Sequence, residues 1–422
     1  MAEKPNVQQN WQKQDTVWML SLYGTAIGAG VLFLPIDVGL HGIWPLLIML
    51  ILAFPITYFP HQALCRFILA NPSTQRDITG VADEFFGPWI GGAITLLYLF
   101  TIYPIMLLYS IAITNTVTSF LEHQLHLTPP PRILLSLGLI LLLMSIVHAG
   151  QAFIIRLMST LVYPFVMILM IIAFYLIPFW NLSIFTTGWG SPVNNWHTIL
   201  SPLWLMIPVM VFSFNHSAII SSFAVAQKGA YGDQADVKAS YILRRTHLLM
   251  VSTVMFFVCS CVLSLSPHDL QLAKQENISI LSYLANHFQT PFLAYLAPLI
   301  AFVAIAKSFL GHYLGANEGL QRLVVKPLQT YGIGLKNKAL LYLLELGMII
   351  TCWIAATLNP SILHMIEFLI GPIIAMILFL LPMYAIATIP ALKQYRNLPR
   401  NSFVTVVGLI AISALVYGSW MR

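Results

Sequence analysis

The sequence predicts an all-α integral membrane protein of about eleven transmembrane helices. Three observations carry this. Charged residues make up only 8 % of the 422, whereas a soluble surface draws on roughly 25 %. Hydrophobic residues reach 59 %, so most side chains must face lipid or one another. Finally, apolar runs of the ~20 residues needed to cross a bilayer recur along the whole chain.

The runs fall in order at about 17–38, 43–65, 91–120, 133–149, 153–178, 199–226, 246–266, 291–316, 339–358, 362–387 and 402–420. The first follows a polar N-terminus and the second begins past Gly42. The stretch 71–88 holds Asp77, Asp83 and Glu84, ends in Gly87-Pro88 and reads as a short interfacial helix before the third run. The stretch 267–290 has helical spacing with a polar face and reads as an outer helix after the seventh. Neither could stand as a separate domain, so residues 1–422 form one transmembrane unit.

Orientation follows from lysine and arginine, which concentrate on cytoplasmic ends. A cytoplasmic N-terminus puts Lys13, Arg66, Lys228, Arg244, Arg245, Arg322, Lys393, Arg396 and Arg400 inside. It leaves few outside, Arg132 and Lys274 among them. Eleven spans then put the C-terminus in the periplasm. The net charge of +6 is explained by these cytoplasmic ends; no basic run suggests nucleic acid. Cys65, Cys259, Cys261 and Cys352 sit in or beside apolar runs and read as small buried residues, with no metal site implied.

Two runs carry residues that a membrane helix tolerates poorly. The first contains GTAIGAGVLFLP, Gly24 to Pro35, with Gly24, Gly28 and Gly30 close together. Each glycine costs about 1 kcal/mol relative to alanine. The sixth contains Pro208 and then FSFNHSAIISSF, Phe212 to Phe223, with Ser213, Asn215, His216 and Ser217 at mid-membrane depth. Close helix packing would account for the glycines, and back-bonding to helix carbonyls would account for the serines. Their places favour another reading. Runs one and six are the first members of two five-run halves, about 15–178 and 199–387, with 402–420 as an extra helix. Interrupted helices at matching places in two halves point to a transporter site. An unwound turn offers amides to a carboxylate and carbonyls to an ammonium, and an amino acid has both. On this reading Gly24, Thr25, Gly28, Ala29, Gly30, Phe212, Ser213, Asn215, His216 and Ser217 line the substrate, and Tyr98, Tyr103 or Tyr109 of the third run closes over it, Tyr103 being the most central.

The motifs DTVWMLSLYGTAIGAGVLFLP (Asp15 to Pro35), PVMVFSFNHSAIISSFAVA (Pro208 to Ala226), ENISILSYLANHF (Glu276 to Phe288), KSFLGHYLGANEG (Lys307 to Gly319) and GPIIAMILFLLPMYAI (Gly371 to Ile386) span nearly the whole chain. With them it resembles the hydroxy and aromatic amino acid permease family of the amino acid–polyamine–organocation superfamily. The serine branch is the nearer, and the threonine–serine branch is looser. The resemblance implies a LeuT-like five-plus-five inverted repeat and proton-coupled uptake by a bacterial inner-membrane carrier. Asn215-His216 implies L-serine as substrate, where the threonine branch has Asn-Phe; threonine/serine or an aromatic amino acid is the alternative. No cofactor is implied beyond the proton, and no protein partner.

Lys307 lies within the eighth run, where a lysine costs ~2.5–3.5 kcal/mol to insert. Related transporters bridge spans 1 and 8 with sodium, and an ammonium at Lys307, supported by Ser308, could stand there as the proton carrier. Glu367, Glu345 and Asp37 could each be a proton site or a partner for Lys307, or else a satisfied structural group; Glu367 is carried as the further proton-coupling candidate. His148 and His312 read as interfacial. No nucleophile, metal-ligand or paired-carboxylate motif within the runs suggests an enzyme, and no pore loop or charge ring suggests a channel.

Overall fold

The computed structural model describes residues 11–71, 77–148, 151–182, 197–288, 290–325 and 337–420. These residues contain no strand. Helix α1 (Lys13–Ala26) and α2 (Ala29–His41) form one span bent by 55°. They are followed by α3 (Ile43–Leu69), α4 (Ile78–Ser119), α5 (Arg132–Val147) and α6 (Gln151–Tyr175). The second half opens with α7 (His197–Ser213) and α8 (Ser217–Tyr231), then α9 (Ala235–Ser264). Two short helices, α10 (Pro267–Gln275) and α11 (Ile280–Phe288), precede α12 (Pro291–Leu320) and α13 (Asn337–Leu358). The chain ends in α14 (Ile362–Thr388) and α15 (Leu398–Trp420).

Each of the eleven expected runs is occupied by helix. Among the described residues eight helices are long and apolar enough to cross a membrane, or nine if the bent pair is one span. The expected fourth run is short, with 16 residues in α5. The sixth and seventh share one stretch, Ser217–Ser264. Residues exposed on the bundle are those a lipid would cover: Trp89 is 91 % exposed, Ile51 76 % and Leu358 74 %.

One boundary holds and one differs from expectation, each for a local reason. The stretch before the third run is a short helix of its own, residues 78–86, set off from the rest of α4 at Gly87, whose backbone (φ +80°, ψ 168°) is not helical. Asp77 caps it by accepting the Gly80 N–H at 2.8 Å, and Pro88 resumes the helix. Helix α9 begins well before residue 246, because its polar first turns are tied down: Lys238 pairs with Asp15 at 2.7 Å and Arg66 with Asp236 at 2.9 Å. Helix α14 contains two π-helical stretches, Ile366–Ile370 and Met376–Leu380.

The two faces of the bundle close differently. On the face carrying the N-terminus, ions meet. Asp15 and Lys238 are almost fully buried, and Tyr231 donates its hydroxyl to Asp15 at 2.8 Å. Arg322 reaches Asp77 at 2.8 Å and Asp83 at 3.1 Å. On the opposite face the closure is mainly one of amides. Asn115 donates to the Asn277 carbonyl at 2.7 Å and to Asn359 at 3.0 Å, and Asn277 donates to Asn359 at 2.9 Å. Arg132 joins by donating to Asn115 at 2.6 Å. Asn277 and Asn359 hold left-handed backbone, φ 56° and 52°, a conformation asparagine tolerates better than most residues.

Candidate functional site

The break in span 1 lies at Ile27 and Gly28, where the backbone is extended between two helices. The first turn of α2 therefore presents N–H groups with no intrahelical partner. What fixes Gly28 is close approach. A Cβ there would stand 2.5 Å from Ser308 Oγ and 2.6 Å from Tyr109 Oη. Ser308 donates to the Ile27 carbonyl at 3.1 Å, tying α12 to the break.

The break in span 6 spans Phe214 to His216. Asn215 accepts the Ser217 N–H at 3.0 Å on its side-chain oxygen and so satisfies the first amide of α8. The two breaks face each other: a Cβ on Gly30 would stand 2.7 Å from Ser213 Cα and 2.9 Å from the Phe212 ring. Packing of α2 against α7 holds this arrangement. Ser213 Oγ and Ser217 Oγ are buried here without a hydrogen-bond partner. Buried polar atoms are normally satisfied, so a polar ligand between the breaks would supply what they lack.

The structure thus brings together Gly28, Ala29, Gly30, Phe212, Ser213, Asn215, His216 and Ser217. Thr25 lies in the last turn of α1, its hydroxyl donating back to the Ser21 carbonyl at 2.8 Å. Gly24 packs against Val162 of α6, with Lys307 Nζ 3.6 Å from the place of its Cβ. Tyr103 is not brought to the breaks. Its hydroxyl bonds Thr351 on α13 at 2.6 Å, because it faces outward from α4. Of the three tyrosine candidates it is Tyr109, nearly two turns further on, that stands at the break beside Gly28.

Lys307 is 3 % exposed, with its ammonium 5.7 Å from the centre of the Phe165 ring. It stands between span 1 and α6, beside Ser308. Glu367 is elsewhere: its Oε1 lies 3.8 Å from Lys274 on α10, and no ion pair among the described residues links it to Lys307. His312, expected at an interface, is buried, with its ring 5.2 Å from Tyr109. His148 is exposed and meets Glu345 at 3.0 Å.

Sequence reading missed one cluster. His61 on α3, His216 at the head of α8 and His247 on α9 are all buried, with one ring nitrogen from each within 4.8 Å of the others. His61 and His216 stack at 3.7 Å with planes 9° apart. A zinc-like ion needs about 2.0–2.1 Å to each nitrogen along the lone pair, which lies in the ring plane. Two parallel stacked rings cannot both aim such lone pairs at one ion, so the cluster is a poor metal cage as it stands. Nothing in the spacing of residues 61, 216 and 247 signals their meeting.

Residues 15–379 match the tryptophan/tyrosine permease family. The serine transporter SdaC of Escherichia coli (strain K12) is 59 % identical over 412 residues, 96 % of this chain and 95 % of the relative. The threonine/serine transporter TdcC of Edwardsiella tarda is 44 % identical over 428 residues, covering 96 % of each. Among solved structures, MhsT in complex with L-phenylalanine superposes with a TM-score of 0.62 at 14 % identity, covering 96 % of this chain and 97 % of that one. That likeness is one of fold, the LeuT-like architecture with broken first and sixth spans. With the family match running from span 1 into α14, the chain belongs to the tryptophan/tyrosine permease family of membrane transporters.

Proposed function

We propose that this permease imports L-serine together with a proton across the bacterial inner membrane, by alternating access around the two facing breaks. The observation that carries the reading is their apposition, with Gly28 and Gly30 admitting no Cβ and with Ser213 and Ser217 left unsatisfied between them. A zwitterion fits this chemistry. Its carboxylate takes the free amides at the head of α2, where the helix dipole is positive. Its ammonium takes the carbonyls that end α7. A small hydroxylated side chain suits Ser213, Asn215, His216 and Ser217 better than an aromatic ring would. The likeness to serine transporters at 59 % identity supports the same substrate.

In this reading Lys307, with Ser308, occupies the place of a coupling ion between span 1 and α12, and its proton is the driving ion. Glu367, beside Lys274, is a second candidate for proton exchange. The N-terminus is cytoplasmic and the C-terminus periplasmic, as the basic residues require. The bilayer is the only partner needed, and no catalytic role or cofactor enters.

Labelled serine taken up by cells lacking their own carriers, challenged with each unlabelled amino acid, tests the substrate. Serine should compete strongly, and tryptophan and tyrosine should not. Equal competition by threonine would favour the second reading, a threonine/serine carrier, which the 44 % identity to such transporters supports. In proteoliposomes, labelled serine should show counterflow and its uptake should acidify the interior. Counterflow without acidification would remove the proton from the scheme and leave the carrier.

A further inference from the structure

Two acids far apart in sequence meet at the far end of span 1. Asp37 of α2 is fully buried, and neither oxygen of its carboxyl has a hydrogen-bond partner among the described residues; Glu367 Oε1 on α14 is buried without one as well. The two carboxyls stand within hydrogen-bond reach of each other. As carboxylates neither can donate, so they meet lone pair to lone pair. Lys274 of α10, 3.8 Å from Glu367 Oε1, supplies one positive charge. His41 Nδ1 lies 3.4 Å from Asp37 Oδ1 but donates to the Asp37 main-chain carbonyl at 2.8 Å. Two carboxylates against one ammonium leave one negative charge uncompensated in a buried place, which is costly. One proton held between the carboxyls removes that charge and makes the missing hydrogen bond.

We infer that Asp37 and Glu367 share one proton and thereby latch span 1 to α14, with Lys274 as the counter-charge. The inference rests on the carrier reading, in which this seam parts to admit substrate from the face opposite the N-terminus. Hydronium gives up its proton and leaves water; the proton forms an O–H bond on one carboxyl, which donates it to the other. The seam is then bridged. When the proton leaves to water, the two anions repel and the bridge is gone. This proton returns to the side from which it came, unlike one carried through at Lys307. The surrounding packing suits a latch. Helix α10 lies on α2, where Gly39 has no room for a Cβ against Leu270. Glu367 sits in the π-helical stretch Ile366–Ile370, a distortion frequent at functional sites.

Lys274 of α10 and His41 of α2 are the charged or titratable groups that act on the pair; among the described residues none from α3, α7, α9, α11, α12 or α15 does. Lys307 is remote. Its ammonium lies beside Gly24 in α1, across the span-1 break from Asp37 in α2.

Thiol alkylation of the detergent-purified protein reads the seam without transport. Ala273→Cys puts a thiol on the buried side of α10, and Gln271→Cys puts one on its exposed side. The ratio of their rates with a bulky, charged thiol reagent, above the background of the native cysteines, removes the thiol's own ionisation from the comparison. That ratio should rise at least about fivefold from pH 5.5 to pH 8, the effect of one hydrogen bond lost. Lys307→Gln should leave the rise intact, which separates the latch from a proton at Lys307. Asp37→Asn and Glu367→Gln should each hold the ratio low at every pH, because an amide donates to the remaining carboxylate without a proton. His41→Gln should leave the rise unchanged. A flat ratio with both acids in place overturns the inference, as does an undiminished rise in Asp37→Asn or Glu367→Gln. So does a ratio that drops when sodium is added at pH 8, which would give the gap to a metal cation. If the acid variants do not assemble, loss of the rise in Lys307→Gln or His41→Gln still overturns it. Serine counterflow by the same preparation tests the carrier reading separately: counterflow with a flat ratio sinks the latch alone, and no counterflow sinks the carrier reading and the latch's part in transport with it.

Discussion

At the scale of single residues, function here rests on atoms that are missing. Gly28 has no tolerance for a methyl group, because Ser308 and Tyr109 already fill its space. Gly28→Ala should therefore reduce serine uptake by at least about tenfold while leaving the protein in the membrane. Gly138→Ala, on α5 where nothing lies within 4 Å, should transport normally. Uptake assays normalised to the amount of membrane-inserted protein check the pair. Lys307 makes the complementary case, a group whose presence needs a reason. Lys307→Gln should lose accumulation driven by a pH gradient and keep serine–serine exchange; retained accumulation in vesicles would pass the proton role to another group. The glycines and the lysine were legible in the sequence because each is costly at its depth. Tyr103 and Tyr109 were not separable, since both lie mid-span and only the rotation of α4 decides which one faces the break. His61 gave no signal, as a lone histidine in an apolar run looks the same whether it meets a carbonyl or two other rings.

At the scale of elements, the first half-helix of span 1 is held by a buried ion pair. Asp15 is 1 % exposed and Lys238 is fully buried, so removing either one takes a close counter-charge from a desolvated group. Loss of one member of such a pair costs about 3–5 kcal/mol. Asp15→Asn should thus lower the thermal midpoint of the detergent-purified protein, and adding Lys238→Met should recover part of the loss. A double variant no better than the single one would show that the two side chains act separately. The spans themselves were legible from apolar length, and both interrupted spans from their glycines and polar residues. The polar first turns of α9 were not, because hydropathy cannot tell a solvated loop from a helix whose charges are paired against its neighbours. The break at Gly87-Pro88 was legible, because a glycine followed by a proline ends one helix and opens the next.

At the scale of the whole molecule, a reporter enzyme active only in the periplasm should report activity when fused after Asn359 and stay silent after Gly232. The reverse pattern would invert the protein in the membrane. The difference between the two closures, Arg66–Asp236 and Arg322–Asp77 on one face and mainly asparagine amides around Arg132 on the other, extends this orientation to the medium each face meets. Raising salt from ~0.01 M to ~1 M shortens the reach of charge from ~30 Å to ~3 Å. The Arg66–Asp236 and Arg322–Asp77 pairs are part-exposed and will feel it; bonds between neutral amides will feel it little. In vesicles of known orientation, salt added on the N-terminal side should speed opening to that side, whereas salt on the other side should change little. An equal response from both sides would refute this. With the N-terminus cytoplasmic, as proposed, the closure richer in part-exposed ion pairs would face the compartment whose salt a bacterium controls closely, and the mainly amide closure would face the surroundings it hardly controls.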